Sequence, residues 1–179
     1  MTKLFLDMDG VLVDFDRGLE EFNIVNNTRD YLHLPKSKWP KYIVKNDREI
    51  IDCMNFPGFF AKLPPMAGYK ELLGLHLSPF VLTAWPKTCN DRQRVENEKR
   101  GWLRDYTDNT QDRMIYCSRE DKQKYAIEIN GPYQIGTNLL IDDMESNCDQ
   151  WERAGGYALL YRPEQHDNVI KDARRILER

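Results

Sequence analysis

Three short apolar runs, each closing on polar residues, constrain this chain more than any other feature. Leu4-Phe5-Leu6 runs into Asp7-Met8-Asp9-Gly10, Phe80-Val81-Leu82 into Thr83, and Leu139-Leu140-Ile141 into Asp142-Asp143. Apolar runs of this length, bounded so sharply, read as buried strands. Helical patterns lie between them, at residues 69–75, 90–106, 118–127, 145–154 and 165–177, and further strands at 113–117 and 157–161. Strands separated by helices predict an α/β fold: a parallel sheet covered on both faces, with right-handed crossovers. In open sheets of that kind ligands sit beyond the carboxyl ends of the strands. Asp7 with Asp9, Thr83, and Asp142 with Asp143 would converge there.

The segment after the first strand has another character. Residues 16–27 read as a helix with Leu19, Phe22 and Val25 on one face, and Asp14 is placed to cap it. Residues 28–65 hold Trp39, Tyr42, Phe56, Phe59 and Phe60 among five prolines, with a short helical piece at 47–54 and no strand alternation. We read 16–65 as an inserted helical cap on a core made of 1–15 and 66–179. The stretch 130–138, with Gly131 and Pro132, reads as a loop.

At 179 residues, 41% hydrophobic and 31% charged, the chain can build a core. A net charge of -3 disfavours a general nucleic-acid binder, which needs a basic face. No run approaches the ~18 apolar residues of a membrane span, and the first strand starts too early for a targeting segment. Cys53, Cys89, Cys117 and Cys148 form no CxxC pair, so reduced thiols in a cytoplasmic protein are expected.

Two acids at the end of a central strand repel each other, and a divalent cation reconciles them. Gly10 lets the backbone turn closely behind them. A carboxylate that attacks phosphorus forms an aspartyl-phosphate, and an acid two residues on can protonate the leaving oxygen and then activate water. The expected centre is therefore a magnesium-dependent phosphoryl-transfer site with Asp7 as nucleophile. Thr83 and the Ala84 backbone N–H are placed for the phosphate, with Lys122, or less favourably Lys124, as the cation.

Asp7-Met8-Asp9-Gly10-Val11, the strand ending in Thr83, Lys122, and Leu140-Ile141-Asp142-Asp143 together resemble the four ordered motifs of the haloacid dehalogenase (HAD) superfamily of phosphohydrolases. Asp7 to Phe15, the Pro57-Gly58-Phe59-Phe60…Leu63-Pro64-Pro65-Met66 stretch and Arg119…Lys122 resemble its 5'(3')-deoxyribonucleotidase group and the phage and bacterial relatives of that group. The resemblance implies a HAD-like Rossmannoid three-layer core with a cap after the first strand, and Mg²⁺ as cofactor. It implies Asp7 as nucleophile and metal ligand, Asp9 as general acid/base that lends its carbonyl to the metal, and Asp142 as third ligand. Asp143 is then a supporting carboxylate, and Thr83 and Lys122 hold the phosphate. Phe15 would stack on a nucleobase, with Trp39, Tyr42, Phe59 and Phe60 as cap candidates. Two departures stand out: a longer stretch between Lys122 and Asp142, and Ala84-Trp85-Pro86 where a hydroxyl residue would follow Thr83.

The implied activity is hydrolysis of nucleoside monophosphates. A polynucleotide 3'-phosphatase, a small sugar-phosphate phosphatase and a non-catalytic nucleotide- or partner-binding module stay open beside it, as does a homodimer. The acidic charge and the aromatic insert count against the polynucleotide substrate. Asp9 argues against haloacid dehalogenation, which lacks an acid at that position.

Overall fold

The structure is a computed structural model that describes residues 2–26, 53–87, 89–108, 110–129 and 135–178. Five strands, β1 (Leu4–Leu6), β2 (Phe80–Ala84), β3 (Met114–Cys117), β6 (Leu139–Asp142) and β7 (Tyr157–Leu160), form an all-parallel sheet in the order β3-β2-β1-β6-β7. The expected α/β core is thus present, with β1 at its centre. Phe5 pairs with Phe80 on one side and with Leu140 on the other.

Period-two alternation divides the core between the two faces of the sheet. Leu4, Leu6, Val81, Leu139 and Ile141 pack on one face with Trp102 and Leu103 of helix α3 (Arg92–Tyr106) and with Val169 and Ile170 of α5 (His166–Leu177). Phe5, Leu82 and Leu140 pack on the other with Trp151 of α4 (Glu145–Arg153). Trp102 and Trp151 are wholly buried packing residues, each donating its indole N–H to a backbone carbonyl, of Leu63 and Asn138.

Helix α1 (Phe15–Asn26) begins where Asp14 caps it, its Oδ1 accepting the Arg17 N–H at 3.0 Å. Leu19 is buried and Phe22 packs against the same cluster; the 28–52 part of the expected cap, with Trp39 and Tyr42, lies outside the described residues. Residues 53–66 are held by α3. The Glu98 carboxylate accepts the Gly58 and Phe60 N–H groups at 2.8 and 3.1 Å, and Arg94 donates to the Met54 and Phe56 carbonyls at 2.8 and 3.0 Å. The short helix α2 (Tyr69–Leu73) then leads into β2.

Two expectations need correction. Part of the stretch read as a loop at 130–138 is strand: β4 (Ile127–Ile129) and β5 (Ile135–Thr137) pair antiparallel as a separate two-stranded sheet. The β-branched residues Ile127, Ile129, Ile135 and Thr137 favour that pairing and outweigh the loop signal of Gly131-Pro132, which lies outside the described residues. The helix expected at 118–127 is a 3-10 helix, Arg119–Tyr125, capped by the Ser118 hydroxyl on the Asp121 N–H. Three residues per turn place Arg119, Lys122 and Tyr125 on one side.

Candidate functional site

Asp7 follows β1 directly, and its N–H still bonds the Ile141 carbonyl of β6 at 2.9 Å. That pairing brings the end of β1 beside Asp142 and Asp143 at the end of β6. Asp7, Asp142 and Asp143 each present a carboxylate oxygen within 4.8 Å of the others, a group that could hold a metal ion. Lys122 enters from the 3-10 helix, its ammonium 2.9 Å from Asp7 Oδ1 and 2.8 Å from Asp142 Oδ2. Asp7 Oδ1 also accepts the Met8 N–H at 2.7 Å. No hydrogen bond to Asp7 Oδ2 is made among the described residues. Asp142 is wholly buried and held on both oxygens: the Asn147 amide donates to each, at 2.9 and 3.0 Å, and the Met144 N–H to Oδ1.

The electrostatics show an excess of negative charge. Burial, then the charge of Asp142, pushes Asp7 up to about 8 although Lys122 pulls it down. Burial and Asp142 likewise raise Asp143, to about 6. Burial opposes the charge on Lys122, but Asp7 and Asp142 outweigh it and hold that ammonium above its usual range. A hard cation with oxygen ligands suits this donor set, because it neutralises what one lysine cannot.

Gly10 is what permits the approach of Asp143. It sits at φ +80°, and a Cβ there would fall 2.4 Å from Asp143 Oδ2. Gly10→Ala should therefore lose about 1–3 kcal/mol of stability from the left-handed backbone alone, and more from the displaced carboxylate. Urea midpoints measured in EDTA check this; an unchanged midpoint would mean that the turn is looser than its geometry.

Asp9 lies apart from the three-carboxylate group. Its Oδ2 is 2.5 Å from the ammonium of Lys99, while Oδ1 is buried with no hydrogen-bond partner. The sequence reading overlooked Lys99. The signal was there: α3 buries Val95, Lys99, Trp102 and Leu103, so a lysine stands in an apolar stripe at helical spacing. Asn147 was also overlooked, and nothing in the sequence distinguishes it from other polar residues of α4.

The remaining expected residues divide. Lys122 is in the acid cluster, whereas Lys124 is exposed and paired with Asp121. Thr83 is wholly buried with its hydroxyl against Lys99, and the neighbouring wall of the cleft is Ala84 and Trp85. A cleft of about 1040 Å³ opens over Asp7, Asp9 and Lys122, with Phe15, Phe60, Tyr69, Trp85, Arg119 and Arg162 among its walls. Phe59 is not among them: its ring is buried against Phe15, Phe22 and Phe60, at 5.7, 5.5 and 5.2 Å between centroids.

No family model matches the sequence, and no curated protein matches it. Among solved structures the chain is similar to a hydrolase from Streptococcus pneumoniae TIGR4, with 13% identity, a TM-score of 0.52, and coverage of 99% of this chain and 98% of that one. It is also similar to a HAD family enzyme from Bacteroides thetaiotaomicron, wild-type and in complex with magnesium and inorganic phosphate. That likeness has 16% identity, a TM-score of 0.44, and coverage of 91% and 95%. The first likeness establishes a shared fold; the second is too distant to add to it. Among the described residues no helix is long and apolar enough to cross a membrane.

Proposed function

We propose that this chain is a magnesium-dependent phosphomonoesterase of the HAD superfamily, of the 5'-nucleotidase and deoxyribonucleotidase type, acting through an aspartyl-phosphate. The observation that carries the reading is the group of three carboxylates on two adjacent strand ends, bridged by the buried Lys122. Asp7, Asp142 and the Asp9 carbonyl would hold Mg²⁺, with Asp143 in support. Bound there, the ion supplies charge neutralisation and a fixed orientation for the phosphoryl group.

The chain's own residues do the rest. Asp7 Oδ1 is occupied by Met8 and Lys122, which leaves Oδ2 to attack phosphorus. The bond to the leaving oxygen breaks as Asp9 gives that oxygen a proton. Water then attacks the aspartyl-phosphate, passing its proton to Asp9, and Asp7 is released. Lys122 and Ala84 face the phosphate. Phe15 offers apolar ring surface to a base, and residues 16–65 act as the cap.

Phosphate release from nucleoside monophosphates, small sugar phosphates and a 3'-phosphorylated oligonucleotide, with Mg²⁺ or with EDTA, tests this. Nucleoside monophosphates should show kcat/KM values at least about tenfold above the others, in line with added binding contacts on the base, and EDTA should silence all of them. Preference for a sugar phosphate or for the oligonucleotide would overturn the nucleotidase reading. Metal-independent turnover would overturn the mechanism.

A further inference from the structure

Lys99 has no exposed surface, yet its ammonium is fully engaged. It lies 2.5 Å from Asp9 Oδ2, 2.7 Å from Thr83 Oγ1 and 3.5 Å from the Ala84 carbonyl, three acceptors for its three protons. The Phe60 ring closes the remaining side, its centroid 5.1 Å away. Burying an ammonium opposes folding, and a leucine or methionine would fill this place in the apolar stripe of α3 more favourably. The group it meets is Asp9, whose other oxygen, Oδ1, is left buried without a partner in a residue that lines the cleft.

We propose that Lys99 is a positioning residue that holds the Asp9 carboxyl in place for proton exchange with the substrate. Thr83 and the Ala84 carbonyl hold the ammonium, and the ammonium holds Asp9 Oδ2. Thr83 thereby acts through Lys99, which accounts for a hydroxyl buried behind the cleft wall. The inference rests on the phosphomonoesterase reading. It concerns both proton transfers: from Asp9 to the leaving oxygen as the phosphorus–oxygen bond breaks, and from water to Asp9 as the aspartyl-phosphate is hydrolysed.

The test compares an alkyl phosphate, whose leaving oxygen needs a proton, with 2,4-dinitrophenyl phosphate, whose leaving group does not, both with Mg²⁺. In Lys99→Met, kcat/KM for the alkyl ester should fall by about 100-fold or more, the scale of general acid catalysis, and that for the dinitrophenyl ester by far less. The dinitrophenyl ester should also give a burst of one dinitrophenolate per enzyme before slow turnover, because the second proton transfer is impaired as well. Thr83→Val, a milder change of similar shape, should act in the same direction and add nothing in the double variant; it is the variant to read if Lys99→Met does not fold. Equal losses on the two esters without a burst, or a change in KM alone, would overturn the inference. A wild-type protein that hydrolyses neither ester would instead sink the phosphomonoesterase reading on which it stands.

Discussion

Asp7→Asn should leave the fold intact and lower phosphate release by at least about 10⁴-fold, the scale seen when a nucleophile is removed from a catalytic unit. An amide oxygen is too weak a nucleophile to open a phosphate ester, and the substitution also removes one of the three clustered carboxylates. The fold should hold because Asn keeps the size of Asp7 and an oxygen for the Met8 N–H and the Lys122 ammonium. It also removes a carboxyl whose charge burial and Asp142 oppose, so the variant is expected to melt at or above the wild-type temperature in EDTA. The paired readouts are phosphate release with Mg²⁺ and thermal unfolding by circular dichroism. Turnover within tenfold of wild type would exclude Asp7 as the nucleophile, whatever the stability.

Much of this site is legible in the sequence because its residues stand where apolar runs stop. The ends of β1 and β6 are unambiguous, since three consecutive apolar residues followed by acids have no other comfortable place in an α/β chain. Lys99 escaped notice for the opposite reason: it sits in mid-helix among Arg94, Glu96, Glu98 and Arg100, where a lysine normally means a solvated face. Those charges mask the helical spacing of Val95, Lys99 and Trp102 that places it on the inward stripe. Phe59 and Phe60 illustrate a further limit. Both rings are buried, Phe59 against Phe15 and Phe22, and Phe60 over the Lys99 ammonium, and two adjacent aromatics in an irregular segment do not foretell that. The pairing of β4 with β5 was hidden because the Gly131-Pro132 pair reads as a loop signal that, in the sequence alone, outweighs two three-residue strands.

Lys122→Met should cost about 3–5 kcal/mol of stability in EDTA near pH 8, because it leaves buried carboxylates without their counter-ion. The pH dependence makes the prediction specific. Asp7 has an unfolded value of 3.8 and a folded value of about 8, so between these the folded state holds a proton that the unfolded state has released. The stabilising contribution of that proton is fully present below about pH 4 and is lost as pH rises through 8; Asp143, raised to about 6, adds to the decline between 4 and 6. Lys122 pulls Asp7 downward, so its removal raises the folded value of Asp7 further and extends the decline above pH 8. Urea midpoints from pH 5 to 9 should therefore separate variant and wild type least at pH 5 and most at pH 9. Mg²⁺, supplying the missing positive charge, should raise the midpoint of Lys122→Met more than that of the wild type. A variant as stable as wild type at pH 8 in EDTA would mean that Lys122 is not the counter-ion of this cluster, and the charge argument for a cation at Asp7, Asp142 and Asp143 would fall with it.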